Sequence, residues 1–574
     1  MLIIFVLSIL AAIISFLGKY LSKPVLVKLS ILVSWIGAVS SLSLLRYINL
    51  SDLCTTYTFV DVFNFASIYG QVIRFGFRTD TLSALWTCIT AILCAFTNLY
   101  SVGYMQSYAK FITYNNLFSA SMLLFVSANN FLQSYVGWEL ITLFSYLLIN
   151  YYHYLKEENG DIAFRVFILH KFGDIFFLIS ILLMVVYLGS FELKHFNSFH
   201  VYGINIHDII FMLLLIPISI KSAQFGFMHW LKNAMIAPTP ASAFLHAATI
   251  VSAGIYLFIR TALIFDLSNT IKMYAASYFI FTSIIGAIFA FKEYDLKKVL
   301  AYSTCSKIGL ILATCCIGNY ITAILFFAIH AFSKCALFFC VGNISHALSN
   351  ERDMRKMGGL SEDLPKTYSV TILSTLLFLG IIPNVIDTSM HNSNLCFSIA
   401  IYIAEILAIF YMLRVVYFVF HGESHLDEKS RGYLNEKSSL LIVSTILLIL
   451  ANFIVRILIF MQPNNIVTKE SVIQYIFSVV LFICCVFIYK SLKIDIAKYV
   501  HLSVHLPQIE FSSLTKKLIS FQQFIENDVY SKVYVKIVQI GRKLVGQSDS
   551  EFLCLLVGGL LVLLTVINLA YGGL

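Results

Sequence analysis

Long apolar runs recur from one end of this 574-residue chain to the other, and they constrain its fold more than any other feature. A run of about 18 apolar residues is long enough to cross a bilayer as a helix. Hydrophobic residues make up 59% of the chain and charged residues 12%, and the mean hydropathy is +0.86. Since a soluble domain has a far more polar composition, we predict an all-α polytopic membrane protein with about 16 transmembrane helices.

The predicted spans lie near 1–17, 25–45, 81–103, 114–132, 133–153, 163–188, 208–230, 241–263, 272–291, 299–317, 321–347, 367–388, 398–420, 438–460, 472–489 and 553–571. We do not expect the first to be a removable signal peptide, because it lacks a charged leader and a small-residue cleavage site. Residues 510–545 are amphipathic and predict a lateral helix of about 55 Å before the last span.

The chain therefore divides into six predicted parts. These are N-terminal helices (1–110), a first repeat (111–265), a second repeat (266–425), additional helices (426–492), an amphipathic lateral segment (493–550) and a C-terminal anchor (551–574).

Two five-span blocks in the middle of the chain, near 114–263 and 272–420, each contain an interrupted helix. Pro217 interrupts the first block, and Gly380 with Pro383 interrupts the second. Proline removes a backbone donor, so that carbonyls beside it can face a cavity with water. Because an odd number of spans reverses the orientation of the next block, the pattern predicts inverted repeats, as in transporters.

Lysine and arginine concentrate in alternate loops on one side of the predicted spans, for example at Lys19, Lys23, Lys28, Lys292, Lys298, Arg352 and Arg355. This excess marks the cytoplasmic or matrix side and places both termini on the periplasmic or intermembrane side. The net charge of +9 is thus a topology signal. We expect no nucleic-acid binding, because the sequence contains no basic soluble domain.

The twelve cysteines do not form metal or disulfide patterns, since none of them makes a Cys-x-x-Cys pair. Their places in apolar runs favour small buried residues. The sequence has no phosphate-binding loop, no dinucleotide-binding glycine pattern and no haem signature. We expect no cofactor on this chain.

Single ionisable residues stand in three otherwise uncharged apolar runs. Glu139 is alone in FLQSYVGWELITLFSYLLINYY, Lys221 in IIFMLLLIPISIKSAQFGFMHW and Lys334 in AILFFAIHAFSKCALFFCVGNI. An ionisable group near the bilayer centre costs roughly 2.5–3.5 kcal/mol and usually faces a polar pathway. These three residues predict that charge moves through the protein.

Several ordered motifs extend this prediction. The strings GWELITLFSYLLINYY, KSAQFGFMHWLKNAMIAPTPASAFLHAATIVSAGIYL and DLKKVLAYSTCSKIGL resemble the antiporter-like subunits of respiratory complex I. FGFRTDTLSALW, HALSNERDMRKMGGL and RVVYFVFHG are similar to the distal member, chain 5, called chain L in bacteria. The resemblance implies a subunit of a bacterial or mitochondrial inner membrane that moves protons, while partner subunits oxidise NADH and reduce quinone. It implies a neighbouring antiporter-like chain among its partners, beside the lipid bilayer.

Matched residue by residue, the resemblance implies that the proton-carrying side chains are Glu139, Lys221, His246, His330 and Lys334. Burial favours a neutral amine, whereas a nearby carboxylate favours the charged one. His330 and Lys334 are four residues apart and share a helix face. We hypothesise a relay from Lys221 through His246 and His330 to Lys334, gated by Glu139.

Each of these residues also has a purely structural interpretation. Glu139 and Lys221 could form a permanent ion pair, and His246 could be a hydrogen-bonded core residue. Asp174, which matches a family aspartate in HKFGD, could be a cap or loop contact as readily as a functional group.

Other charged residues have weaker functional interpretations. Arg165, Lys297 and Lys298 lie near the basic interface, where such residues are usually snorkelling anchors. Arg414 and Glu405 share one predicted span, and their burial suggests partners.

The second repeat departs from the family pattern of a lysine after the Gly/Pro break. In GIIPNVIDTSMHNSN that position holds Met390 or His391. Asp387, His391 or Glu405 could rebuild the path to the outer side. The lateral helix is also short for the family. These departures keep two alternatives open, a subunit of a multisubunit cation/proton antiporter or orphan ion-coupled transport partner, and a paralogue that assembles without conducting.

Overall fold

The computed structural model describes residues 1–48, 53, 56–68, 71–155, 157–193, 200–201, 204–379, 395–421, 423–425 and 439–460. The chain divides into two compact units, one of residues 1–60 and 76–492 and the other of residues 61–75 and 493–574. The predicted spans at 472–489 and 553–571 and the predicted lateral helix at 510–545 lie outside the described residues.

Helices make up most of the described residues in the first unit. In chain order they are α1 (Leu2–Tyr20), α2 (Pro24–Ser41), α3 (Thr81–Tyr104), α4 (Tyr108–Val126), α5 (Phe131–Ile149), α6 (Glu157–Leu183), α7 (Ile206–Lys221), α8 (His229–Asn233), α9 (Thr239–Ala247), α10 (Ile250–Ala262), α11 (Asn269–Lys292), α12 (Leu296–Cys316), α13 (Tyr320–Ala347), α14 (Pro365–Leu379), α15 (Leu395–Val416) and α16 (Ser439–Phe460).

The expectation of an all-helical chain was wrong for the segment before α3. Strands β1 (Thr56–Ile68) and β2 (Gln71–Asp80) form a two-stranded sheet, and the short strands β3 (His200–Val201) and β4 (Ile204–Asn205) form another. The sequence of β1, TYTFVDVFNFASI, is rich in aromatic and β-branched residues, which favour extended structure. A search for long apolar runs does not register such a segment.

Among the described residues, ten helical segments are long and apolar enough to cross a membrane. They are Leu2–Tyr20, Pro24–Tyr47, Thr81–Tyr104, Phe131–Tyr152, Asn159–Leu188, Thr239–Ala262, Asn269–Lys292, Leu296–Cys316, Tyr320–Ala347 and Ile399–His421. Each coincides with a predicted span, so the chain is a polytopic helical membrane protein. The total of sixteen stays a prediction.

The most deeply buried helices form the centre of the first unit. The apolar windows of α12, of α13 and of the α9–α10 segment are 100% buried, whereas that of α1 is 28% buried. Helix α13 packs against α9, α12, α14 and α16. Ionisable side chains in the middle of these helices, such as Lys307, His330 and Lys334, are therefore enclosed by protein.

The first interrupted helix ends directly after Lys221, and Pro217 lies within α7 four residues earlier. The amide of Gln224 donates to the Ser219 carbonyl at 2.8 Å, and that of Ala223 donates to Ile220 at 3.1 Å. Ala223 has a φ of 52°. This pair of bonds around a left-handed residue is the Schellman ending of a helix. Lys221 thus lies at the carboxyl end of α7, where the helix dipole stabilises a positive charge.

A second interruption separates α9 from α10 at Ala248 and Thr249. The Phe244 carbonyl accepts both from the Ala248 amide at 3.2 Å and from the Thr249 hydroxyl at 2.9 Å, and these bonds close the last turn of α9. His246 lies in that last turn. Both titratable side chains therefore stand where a helix stops inside the unit.

Two glycines allow close helix contacts beside these interruptions. A Cβ on Gly137 of α5 would lie 2.6 Å from the Phe125 amide nitrogen of α4. A Cβ on Gly173 of α6 would lie 3.3 Å from the Pro217 Cα of α7. The absence of side chains at these positions lets α5 and α6 bring their neighbouring residues, Trp138 and Asp174, next to the end of α7.

Candidate functional site

Lys221 is buried between α5, α6 and α7, with 1% of its surface exposed. Its Nζ donates to the Trp138 carbonyl at 2.8 Å and to the Thr142 hydroxyl at 2.7 Å. The same Nζ lies 4.3 Å from the centre of the Trp138 ring, within cation–π range. The amine is therefore held by neutral oxygens and by an aromatic face.

Asp174 is the carboxylate associated with this amine. The Thr142 hydroxyl, which accepts from Lys221, also donates to Asp174 Oδ2 at 3.3 Å. The indole of Trp138 donates to Asp174 Oδ1 at 2.6 Å. Since Asp174 is 2% exposed and hydrogen-bonded on both oxygens, it is part of the Lys221 site and does not cap a helix or contact a loop.

Glu139 forms its ion pair with Lys171 of α6, although the sequence suggested that it could approach Lys221. Lys171 Nζ also lies 3.8 Å from Asp174 Oδ2. About a quarter of the Glu139 and Lys171 side chains is exposed. Lys171 therefore stands between two carboxylates, one at the surface of the helices and one beside Lys221.

His170 completes this first cluster, and neither it nor Lys171 was identified from the sequence. The His170 imidazole is 1% exposed, and its ring centre lies 4.5 Å from that of Trp230. The Lys221 charge acts electrostatically on this imidazole. The string HKFGD could have indicated Lys171, because Lys171 and Asp174 are three residues apart and share a helix face.

A second cluster surrounds Lys334 of α13. Lys334 is fully buried, and its Nζ donates to the hydroxyl of Ser303 on α12. The Phe378 ring of α14 lies 4.7 Å from Lys334 Nζ and 6.2 Å from the His330 ring. The charge of Lys334 also acts on His246, whose ring stacks on Phe338 at 5.3 Å. His246, His330 and Lys334 thus share one buried region.

Glu405, one of the residues considered for rebuilding the second repeat, belongs to this region as well. Its two carboxylate oxygens lie 2.6 and 2.5 Å from Nζ of Lys307 on α12. Lys307 was not identified from the sequence, although it is the only charged residue in the predicted span 299–317. The criterion that singled out Glu139 therefore also selects Lys307.

The structure thus gathers the candidate residues into two clusters. Among the described residues, no hydrogen bond or ion pair joins Lys221 to His246. The relay from Lys221 to Lys334 stays a prediction that requires water or movement between the clusters. Met390, Asp387 and His391 lie outside the described residues.

The remaining charged candidates have structural contacts. Lys297 is 4% exposed and donates to the Ala237 carbonyl at 2.9 Å, so it is buried in protein and does not snorkel to the interface. Arg414 donates to the Glu293 carbonyl at 3.0 Å and lies 4.4 Å from the Tyr294 ring. These contacts link helices to loops on the predicted basic side.

Within the described part of the chain, no group of three or more His, Cys, Asp or Glu residues could hold a metal ion. The described cysteines are free and buried. The two clusters contain amines, carboxylates, imidazoles and hydroxyls, which can exchange and stabilise protons.

Two family models match this chain. Residues 128–403 match the family described as "NADH:quinone oxidoreductase/Mrp antiporter, TM". Residues 65–114 match "NADH-Ubiquinone oxidoreductase (complex I), chain 5 N-terminus". Both matches overlap residues 75–422, the part of the chain that carries the quoted motifs.

Individual relatives give the extent of the similarity. The chain is 32% identical to NADH-ubiquinone oxidoreductase chain 5 of Chondrus crispus over 453 residues, which cover 73% of this chain and 68% of the relative. It is also 32% identical to NADH-quinone oxidoreductase subunit L of Rickettsia felis over 400 residues, covering 66% and 62%. The chain thus spans about three fifths of the length of such bacterial relatives.

A solved structure of the Mrp complex from Dietzia sp. DQ12-45-1b shares the fold. The TM-score is 0.71 at 21% sequence identity, with 99% of this chain and 62% of that chain covered. At this identity the likeness concerns the fold alone.

Proposed function

This chain belongs to the family of antiporter-like membrane subunits found in NADH:quinone oxidoreductases and Mrp antiporters, and we propose that it is the proton-translocating chain 5 (chain L) subunit of a type I NADH:quinone oxidoreductase. Under this proposal, NADH oxidation and quinone reduction occur in partner subunits. The chain itself carries no redox cofactor and supplies the path for protons.

The observation that carries the proposal is the Lys221 site. An amine that is 1% exposed lies at the end of an interrupted helix, and one hydroxyl separates it from Asp174. A buried amine without a direct carboxylate partner is costly to keep charged, so modest changes nearby can make it bind or release a proton.

Lys171 provides a way to produce such a change. While Glu139 is ionised, it holds Lys171 in an ion pair. When Glu139 is neutralised, the ammonium of Lys171 is free to turn to Asp174, 3.8 Å away. Asp174 then compensates Lys171 and stabilises the charge of Lys221 less, which favours release of the Lys221 proton. The proton would pass to the second cluster, where His246, His330 and Lys334 accept it.

The proposal also covers the arrangement in the membrane. We assign residues 111–265 and 266–425 to two inverted repeats, within a chain of about sixteen spans. We place both termini on the periplasmic or intermembrane side, in a bacterial or mitochondrial inner membrane. The expected partners are the other membrane subunits of complex I, among them a neighbouring antiporter-like chain.

The test is the substitution Lys221→Met in the assembled complex, in inverted membrane vesicles. Methionine fills a similar volume without a titratable group, so NADH oxidation is expected to continue while protons taken up per NADH fall. Lys356→Gln is the matched control, because Lys356 is an exposed lysine that pairs with Glu351 in a loop.

Two results would contradict the proposal. Unchanged proton uptake per NADH in Lys221→Met would leave the amine with a structural role only. Proton exchange driven by sodium or another cation, without any dependence on NADH, would identify the chain as an antiporter subunit instead.

The substitutions Asp174→Asn and Glu139→Gln test the roles of the two carboxylates separately. Asp174 accepts two hydrogen bonds in the buried site, whereas Glu139 acts through Lys171. We expect Asp174→Asn to lower proton uptake per NADH more than Glu139→Gln. The reverse order would show that Glu139 controls the amine by another route.

A further inference from the structure

The ion pair of Lys307 and Glu405 is a second buried charge system, outside the predicted relay. Lys307 lies on α12 with 0% of its surface exposed, and Glu405 lies on α15 with 6% exposed. Nζ of Lys307 contacts both carboxylate oxygens of Glu405, at 2.6 and 2.5 Å. The two residues are 98 positions apart in the chain, so only the packing of α12 against α15 brings them together.

The pair lies directly beside Lys334. Ser303, which accepts a hydrogen bond from Lys334, precedes Lys307 by four residues and so shares its face of α12. The Phe378 ring lies 5.5 Å from Lys307 Nζ and 4.7 Å from Lys334 Nζ. The Phe378 ring therefore lies close to both amines, and the Ser303 hydroxyl that contacts Lys334 is one helical turn from Lys307.

Stability alone is a weak reason for such a pair. Removing two charges from water is costly, and a buried ion pair is often no more stabilising than apolar residues of the same volume. The two amines also repel each other, since the charge of Lys307 acts on Lys334. The Glu405 carboxylate, held by Lys307, is an acceptor for a proton that leaves this group of amines.

We propose that Lys307 and Glu405 receive the proton from Lys334 and carry it onward. The proposal rests on the function proposed above. In the first step the Lys307 ammonium gives one proton to Glu405: an N–H bond breaks, an O–H bond forms, and the pair becomes a neutral amine and a carboxylic acid. The Ser303 hydroxyl, which donates to the Leu300 carbonyl at 2.9 Å, turns to the neutral Lys307 and gives it that proton while it accepts one from Lys334. Glu405 releases its proton to water, and its carboxylate again pairs with the Lys307 ammonium.

Two variants of the assembled complex separate this role from a structural one. Lys307→Gln combined with Glu405→Gln removes both charges together, so no charge is left buried and unpaired. Lys307→Arg keeps the positive charge and the ion pair, but a guanidinium does not give up its proton in proteins. Glu351→Gln with Lys356→Gln is the matched control, because that pair has the same chemistry in an exposed loop.

The measurement is proton uptake per NADH in inverted vesicles, with assembly checked by native gel and with Lys334→Gln as the reference for loss. We expect both the double variant and Lys307→Arg to fall to the same lower ratio as Lys334→Gln, while NADH oxidation continues. A ratio equal to that of the unmodified complex in an assembled variant, where Lys334→Gln lowers it, would overturn the proposal. If the double variant does not assemble, Lys307→Arg decides by itself.

The reference variant keeps the two proposals distinct. Loss in Lys334→Gln with normal uptake in the Lys307 and Glu405 variants would remove this inference and leave the proposed function standing. Normal uptake in Lys334→Gln itself would contradict the proposed function.

Discussion

Separating Asp80 from Arg260 is expected to destabilise the first unit strongly. Asp80 is fully buried before the first turn of α3, and it accepts from Arg260 of α10 at 2.6 and 3.0 Å. Arg260 is 4% exposed. Removing one partner of a buried, bidentate ion pair costs about 3–5 kcal/mol, because the other charge is left uncompensated. Arg78 lies 3.0 Å from Asp80 and still compensates its charge when Arg260 is replaced. We therefore expect Arg260→Gln to cost about 3 kcal/mol of unfolding free energy, near the lower end of this range.

A double-mutant cycle isolates the contribution of the pair. Asp80→Asn keeps the oxygen that accepts from the Ser83 amide at 2.9 Å, so the cap of α3 is retained while the charge is lost. Each single variant leaves one member of the pair buried and charged, and Asp80→Asn with Arg260→Gln leaves neither. Arg78 loses its contact with Asp80 in both Asp80→Asn variants, so this loss cancels in the cycle. We therefore expect the double variant to be more stable than the sum of the single effects predicts, by about 2 kcal/mol.

The assay is unfolding of the purified full chain in mixed micelles by a rising fraction of SDS, followed by circular dichroism. Asp353 and Arg355 provide the control cycle, since they form an ion pair of which Arg355 is 60% exposed. Their coupling is expected to be small, because water screens an exposed pair. If the Asp80 and Arg260 effects add within about 0.5 kcal/mol, the pair does not stabilise the fold as reasoned here.

Two further substitutions test the packing and the chemistry of the first cluster. Thr142→Val removes the hydroxyl that accepts from Lys221, so we expect lower proton uptake per NADH with normal assembly. Thr142→Ser keeps a hydroxyl and is expected to keep the uptake. Equal uptake in the two variants would contradict a role of the hydroxyl. Gly137→Ala is expected to cost about 1–3 kcal/mol of unfolding free energy in the SDS assay, because its Cβ would overlap the Phe125 backbone. Gly37→Ala is the matched control, since a Cβ there meets only an ordinary contact at 3.7 Å, and equal stability of the two variants would refute the steric argument.

The membrane character of the chain and the positions of its described spans could be read from the sequence. Apolar runs report the length that a bilayer requires, and all ten helical segments that are long and apolar enough coincide with predicted runs. The rule of one charge per apolar run found Glu139, Lys221 and Lys334. Applied to every predicted span, it also selects Lys307 and Arg260, which the structure buries. The remaining residues that are alone in a predicted span are Lys28, Lys272, Asp387 and Arg456.

The sequence did not reveal where the first interruption lies. Pro217 was the visible signal, yet α7 continues past it and ends after Lys221. Ala223 takes the left-handed position of that helix ending, which is usually held by glycine. An alanine gives no sign of such an ending in a sequence, so only the structure placed Lys221 at a helix terminus.

The identity of the buried ionisable groups was thus set by the sequence, and their pairing was decided by the tertiary structure. Glu139 lies with Lys171, Lys221 lies near Asp174, and Lys307 lies with Glu405. Spacing along one helix can suggest partners three or four residues apart, as for Lys171 and Asp174. Partners on different helices depend on how each helix is rotated and how closely the backbones approach. Those quantities come from packing, which an apolar run does not encode.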